Sequence, residues 1–427
     1  MKKTTRIPRY TSYPIYPRWN EQLSHSDLVD QIQSIESAEL YVHIPFCTKP
    51  CFYCGCNKII AKQGTKDEEY TDALLKEWGM YNTINPKLKI ESIHFGGGTP
   101  TFLCESNIEK VLSGLNLEKN CRISIEVDPR VTTKEQLEVF VKYGANRISM
   151  GIQDFDLEVQ KVINRIQSPK LVREMTETIR SIGIEDINFD LIYGLPKQSL
   201  ETIDNTLEQV VSMMPQTISL FSYAHVPEQF PLQKRLTAFL PSDDEKDEFY
   251  KYYRLKLTEM GYSQIGLDHF ALEDSFLFKS FKENTMRRSF MGYVNQKLEN
   301  QIGLGVSAIS DLKGCFYQNE KELSGYYLRI NKNEMPFSYS HSKSTEDIVV
   351  SNLIEKLMCY KTADLRELIS SFTPSKALAF LSNLKNISIK ESLFTLENGV
   401  ISLKGDELNL RPLCFKIDQL IRSMMTS

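Results

Sequence analysis

The run His43–Asn57, HIPFCTKPCFYCGCN, decides how this chain is read. It places Cys47, Cys51 and Cys54 at C-x3-C-x2-C spacing directly after a short apolar strand. An iron–sulfur cube ordinarily takes four cysteine ligands, so a three-cysteine loop leaves one iron open to a ligand that is not protein. Two other readings stand beside this one. Structural zinc usually needs two Cys or His pairs about a dozen residues apart, and no second pair follows here. Disulfides between residues this close are disfavoured, and nothing else suggests an oxidising compartment. Cys56 is crowded by its C-x-C spacing and reads as a neighbour of the cluster rather than a ligand.

Working outward, the 427 residues suffice for one large core and a smaller satellite. Hydrophobic content of 41%, charged content of 25% and a net charge of −4 describe an ordinary enzyme. There is no basic excess for nucleic acid. No apolar run approaches the about 18 residues a membrane span needs. The start, MKKTTRIPRY, lacks the apolar stretch of a signal peptide. Cys104, Cys121, Cys315, Cys359 and Cys414 are scattered as reduced thiols of a cytoplasmic protein would be.

From residue 39 to about 225, short β-branched runs alternate with amphipathic stretches. The strands expected are Leu40–Ile44, Ile90–Phe95, Arg122–Val127, Arg147–Gly151, Ile187–Ile192 and Thr217–Tyr223. Helices are expected between them, at Glu68–Met80, Asn107–Leu115, Lys134–Tyr143, Lys170–Ile182 and Leu200–Val211. Such alternation implies a parallel sheet with right-handed crossovers. Six units predict an α/β fold, a partial (β/α)6 barrel. Polar residues fall after each strand, where parallel α/β sheets place their sites. They are the cysteine loop, Gly96–Pro100, Glu126 with Asp128, Gln153 with Asp154, Asp190, and Ala224 with His225. Residues 1–38 read as an arm containing PRYTSYP, 39–330 as the barrel and its extension, and 340–427 as a small α-rich, winged-helix-like unit. Within the last, Gly399–Asn409 reads as a hairpin.

The glycine triplet Gly96–Gly98 fits neither the dinucleotide nor the phosphate-loop pattern, but it lets a ligand approach the backbone closely. Beside a cluster with an open iron, a compact zwitterion is a sensible occupant. Cluster loop, glycine turn and barrel together resemble the radical S-adenosylmethionine superfamily. More narrowly, LYVHIPFC, CGCNK, HFGGGTPT, ISIEVDPR, SMGIQDF, INFDLIYGLPKQ, YAHVP and GVSAIS, in this order over residues 9–310, resemble the oxygen-independent coproporphyrinogen III oxidase family of haem biosynthesis.

The resemblance implies a [4Fe-4S] cluster on Cys47, Cys51 and Cys54 and two S-adenosyl-L-methionine molecules in one site. Tyr41, Tyr53, Gly97, Gly98, Thr99 and Glu126 would contact the cluster-bound molecule or its surroundings. Gln153, Arg165 and Asp190 would hold the adenosine portions, while Ala224 and Ile309 would line the second site with Cys56 nearby. Tyr41 and Cys56 are the catalytic candidates. The implied reaction converts two propionates of coproporphyrinogen III to vinyls, in a monomer served by a reduced donor such as flavodoxin or ferredoxin. A tetrapyrrole with four carboxylates calls for local cations, for which Arg9, Lys58, Arg287 and Arg288 are candidates, with Tyr10 and Tyr13 covering the pocket. His43 and His225 flank the motifs and are as readily structural.

The departures lie on the substrate side. The family's segment resembling HRNFQGYTT reads Arg287–Asn295, RRSFMGYVN, so that Met291 replaces an amide with an apolar thioether. Paired arginines expected near Glu346–Leu353 are absent, and the arm before PRYTSYP is short. These features admit related paralogues that open haem or transfer methyl or methylene groups, or a haem-binding protein without turnover.

Overall fold

The computed structural model describes residues 7–19, 22–118, 120–294 and 299–425, with the side chains of 389–391 and 425 left aside. Residues 1–6 of the arm and Asn295 of the RRSFMGYVN segment therefore lie outside the described residues.

All six expected strands form and pair in parallel in chain order: β1 (Ser37–Ile44), β2 (Lys89–Gly97), β3 (Arg122–Val127), β4 (Ala145–Gln153), β5 (Asp186–Tyr193) and β6 (Thr217–Ser222). The crossover helices lie at Asp67–Ile84, Glu105–Gly114, Lys134–Lys142, Pro169–Ser181 and Leu200–Ser212, within a few residues of expectation. Ser and Thr caps start three of them, at Thr133, Ser168 and Ser199, by accepting the N–H three residues on.

Each strand alternates with period two. Ile93 and Phe95, Ile123 and Ile125, Ile187 and Phe189, and Ile218 and Leu220 are buried in the main core. Their neighbours Ser92, His94, Ser124, Asn188, Asp190 and Ser219 line a cavity of about 540 Å³ on the other face. Parallel sheets covered on both faces usually read as unbroken apolar runs. Alternation here builds a barrel wall with a dry outside and a polar inside.

The sheet is wider than six strands. β7 (Ser263–Ile265) and β8 (His269–Ala271) add antiparallel beyond β6, in the order β6-β8-β7. On the other side β9 (Gln301–Leu304) pairs parallel to β1, followed by β10 (Ile309–Leu312), β11 (Cys315–Asn319) and β12 (Phe337–Ser342). Among the described residues, no pairing joins the two outermost strands. β9 was hidden in sequence because it is four residues long and contains a glycine.

The last segment packs helices Thr345–Tyr360, Pro374–Glu391 and Leu410–Met425 with a three-stranded antiparallel sheet around its own apolar cluster. Its hairpin is not at Gly399–Asn409. Phe394–Glu397 pairs with Val400–Leu403 across Asn398 and Gly399, both at positive φ. Asn-Gly is the turn that matches strand twist. The residues beyond Leu403 instead lead into the final helix.

The arm also departs from expectation. Tyr10 and Tyr13 do not cover the pocket but sit in the C-terminal cluster. Both hydroxyls donate to Asp418, at 3.1 and 2.9 Å, and Arg18 reaches the same carboxylate at 2.7 Å. Ile7, Arg9 and Thr11 instead line a separate cavity of about 740 Å³. The Asp418 side chain is fully buried and also meets Arg422 at 3.2 Å. Removing one partner of a buried, hydrogen-bonded charge network is costly because the others lose theirs. Asp418→Ala should lower the unfolding free energy by about 3 kcal/mol and free the arm. Urea unfolding and limited proteolysis check this, with arm cleavage faster than in the parent protein.

A second buried carboxylate braces the pocket wall. Glu77 accepts from the Gly305 N–H at 2.8 Å, Asn319 at 2.7 Å and the Tyr326 hydroxyl at 2.7 Å. Burial pushes its pKa up from 4.5 to about 7 despite those bonds. The folded state thus holds a proton that the unfolded chain releases earlier. The associated stability is present below pH about 4.5 and fades as pH rises through about 7. Glu77→Gln should flatten the fall in thermal midpoint between pH 5 and 8, measured against the parent protein.

Candidate functional site

The cysteine loop leaves β1 and crosses the carboxyl ends of β2, β3 and β4. All its cysteines are free thiols. Gly98 N–H donates to the Ile44 carbonyl at 2.7 Å, and a Cβ on Gly98 would lie 2.7 Å from the Pro45 carbonyl. Gly97 has φ +109°, and a Cβ there would stand 2.6 Å from the His43 ring. Only glycine permits both the turn and this approach. Thr99 Oγ1 lies 3.6 Å from Cys47 Sγ.

Beneath the loop, Arg165 is buried. Its guanidinium reaches Asp128 at 3.2 Å, the Gly151 carbonyl at 2.7 Å and Cys51 Sγ at 3.7 Å. Arg130, which sequence reasoning passed over, pairs with Asp128 at 2.6 Å and also lies 3.7 Å from Cys51 Sγ. Burial alone would raise the Asp128 pKa, but the two arginines hold it at about 2. Gln153 sits at a strand bulge with φ +69°, its amide folded back over Gly151 beside Arg165. Its neighbour Asp154 turns away from the site. Gln198 and Thr206 donate to it at 2.7 and 3.1 Å, and it caps a buried structural network.

The barrel rim holds a second group. Tyr41 stacks on His94 with ring centroids 6.0 Å apart, and its hydroxyl lies 2.9 Å from His43 Nδ1. His43 Nε2 is 3.0 Å from the Asn57 carbonyl oxygen. His94 bridges Ser124 at 2.7 Å and Glu126 at 3.3 Å. Glu126 accepts from the Gly97 N–H at 3.2 Å and remains 45% exposed, free to take another donor. Asp190 accepts from Ser149 at 3.0 Å and Asn188 at 2.8 Å, while burial and the Glu126 charge push it up to about 6.

Three cavities meet here. The inner one holds Asp190. A second, of about 1000 Å³, is lined by Tyr41, Cys54, Cys56, Gly97, Glu126 and Ile309, with Lys58 on its wall. A third, of about 740 Å³, is lined by Arg9, Lys246, Arg288 and Arg411. Glu126 and Met291 line all three, so the cavities abut at these two residues.

Tyr53 packs with Val159, Ile163 and Ile192, its carbonyl taking the Gln233 amide at 2.9 Å, and lies within electrostatic reach of Arg165, Cys51 and Cys54. Other expected residues stand apart. Ala224 is half-buried past β6 and is not among the residues lining the three cavities. His225 is held by Tyr223 and Thr237. Arg287 pairs with Glu355 at 3.2 Å and is not among the residues lining the three cavities. Conversely, Lys246 and Arg411 were missed, since neither lies in a motif and only folding brings them to the cavity.

Among the described residues, no three Cys, His, Asp or Glu side chains are close enough to hold a single metal ion. The donor set nonetheless suits an anionic sulfur cluster. Two guanidinium groups converge on Cys51 Sγ, and Cys56 and Lys58 hold the Cys54 thiol down at about 6. Cys47 is pushed up to about 11 by burial.

Residues 41–210 match the Radical SAM superfamily. The chain is 33% identical over 98% of its length to oxygen-independent coproporphyrinogen III oxidase of Pseudomonas aeruginosa, spanning 94% of that protein. It is 35% identical over 97% of its length to the Escherichia coli enzyme of the same name, spanning 93% of it. The solved structure of coproporphyrinogen III oxidase (HemN) from Escherichia coli, described as a radical SAM enzyme, superposes with a TM-score of 0.89 at 34% identity, over 95% of this chain and 96% of that one. The superfamily uses a [4Fe-4S] cluster and S-adenosylmethionine. The chain belongs to the oxygen-independent coproporphyrinogen III oxidase family of radical SAM enzymes.

Proposed function

We propose that the protein oxidatively decarboxylates two propionates of coproporphyrinogen III to vinyl groups without oxygen, yielding protoporphyrinogen IX. The observation that carries this reading is that the cavity beside the cysteine loop and a cationic lobe share Glu126 and Met291 as lining. When bound, the cluster and S-adenosylmethionine supply a 5′-deoxyadenosyl radical that takes a hydrogen from a propionate β-carbon, after which carbon dioxide leaves and one electron passes to an acceptor.

Cys47, Cys51 and Cys54 would hold the cluster, with Arg165 and Arg130 neutralising its charge through Cys51. Glu126, half-exposed beside Gly97, suits the amino group of the bound methionine portion, and Gln153 and Arg165 suit its adenosine side. Asp190 is placed to accept from ribose hydroxyls. Tyr41 and Ile309 wall the same cavity, where a second S-adenosylmethionine fits beside Cys56. Ala224, past the end of β6, would line that second site. Phe230, Pro231 and Leu232 give this cavity an apolar side. The segments 1–38, 39–330 and 340–427 act as lid, reactor and support, a reading supported by the separate core at the C-terminal end. A flavodoxin- or ferredoxin-like donor would reduce the monomer. Among the described residues, no helix is long and apolar enough to cross a membrane.

Met291 favours the second reading, a paralogue acting on haem, because it lines all three lobes where the family carries an amide. Anaerobic assay with coproporphyrinogen III separates the two. Vinyl product with 5′-deoxyadenosine supports decarboxylation, and 5′-deoxyadenosine without vinyl product supports the paralogue. Met291→Gln should raise turnover of coproporphyrinogen about threefold if the missing amide limits binding, a gain of well under 1 kcal/mol. Unchanged kinetics remove that argument. Cys51→Ala should abolish both the visible absorbance of the reconstituted cluster and S-adenosylmethionine cleavage.

A further inference from the structure

The cationic lobe is assembled from four separate elements. Arg9 comes from the arm, Lys246 from the helix Asp243–Glu259, Arg288 from the strand Arg287–Ser289, and Arg411 from the first turn of the final helix. Their present partners are mostly neutral. Arg9 donates to the Ser222 carbonyl at 3.1 Å, Lys246 to the Tyr223 carbonyl at 2.6 Å, and Arg411 to the Pro8 carbonyl at 3.0 Å and to that of Ile7. Among the described residues, none of these three forms an ion pair. Arg288 alone has a carboxylate, Asp268 at 3.4 Å, which His269 shares at 2.9 Å, and the buried Arg288 Nε has no partner. The remaining acids lining the lobe are Glu126, Asp243 and Asp247.

Folding has therefore gathered four cations in a chain whose net charge is −4. Burial lowers the pKa of Arg9, Arg411 and Lys246, and neighbouring cations lower them further against the opposing pull of Asp268 on the two arginines and of Asp243 and Asp247 on the lysine. Such an arrangement is stabilised when an anion enters, since the ligand relieves both the repulsion and the desolvation. Glu126, Phe290 and Met291 line this lobe and the cofactor-side cavity alike, so the lobe begins where that cavity ends. A carboxylate held among these cations lies beyond that divide, away from the Tyr41–Cys56 side.

Resting on the decarboxylase reading, we propose that Arg9, Lys246, Arg288 and Arg411 form a carboxylate subsite that grips the two propionates the reaction leaves in place. Lys246 and Arg411 set the pose and thereby decide which two side chains face the radical. They are positioning residues.

Fluorescence titration of the anaerobically reconstituted full chain tests this with three probes. Coproporphyrin III carries four propionates, protoporphyrin IX only the two retained, and protoporphyrin IX dimethyl ester none. Lys246→Gln and Arg411→Gln should each weaken coproporphyrin III and protoporphyrin IX alike by about tenfold and leave the ester unchanged. If protoporphyrin IX binds both variants as tightly as it binds the parent protein, the subsite grips the reacting propionates or none, and the proposal fails. Equal weakening of the ester also overturns it, because the loss is then one of shape rather than charge. If the parent protein binds none of the acids, the decarboxylase reading itself falls, and the two failures are told apart.

Discussion

The buried guanidinium of Arg165 fixes the geometry on which the site depends. It ties three things that are far apart in sequence: the cysteine loop through Cys51, the end of β3 through Asp128, and the end of β4 through the Gly151 carbonyl. A charge this deeply set is tolerated because a carboxylate, a sulfur and a carbonyl meet its two terminal nitrogens, although the buried Nε has no partner. Arg130 doubles the positive charge at Cys51. The loop is thus held by electrostatics that also suit an anionic cluster, so the feature that shapes it serves the chemistry it would carry.

From that anchor the barrel organises the rest. Its dry outer face packs under the crossover helices, and its polar inner face runs from the inner cavity to Glu126. Glu126 and Met291 sit where the inner, cofactor-side and cationic spaces abut. One residue offers charge and hydrogen bonds, the other only polarisable bulk. The arm closes one wall by burying Tyr10 and Tyr13 against Asp418 while turning Arg9 toward the cavity. Anchor and cation are thereby two faces of the same few residues.

Much of this was legible in the sequence, for stated reasons. The six parallel strands and their helices follow from β-branched runs alternating with amphipathic stretches, and each appears within a few residues of its expected place. The strand-end rule located Glu126, Gly97 and the cysteine loop. It failed at Asp154, because a carboxylate after a strand can equally cap a buried turn. The polar barrel interior was visible in SIHFGG, RISIEV and INFDLI, had their period-two pattern been read as a lined cavity rather than as ordinary strands. Lys246 and Arg411 carried no local signal, since their meeting depends on how distant segments pack. Asn398-Gly399 was a legible turn whose strands fell one step earlier than the stretch singled out.

The central claim is that three cysteines hold a cluster whose fourth iron is left for S-adenosylmethionine. Mössbauer spectroscopy of protein reconstituted without oxygen on iron-57 tests this most directly, with spectra taken before and after S-adenosylmethionine is added. The account predicts a four-iron cluster in which one iron changes its isomer shift and quadrupole splitting on addition while the other three stay put. A cluster whose irons all ignore S-adenosylmethionine, or a loop that takes up zinc in preference to iron, would contradict it.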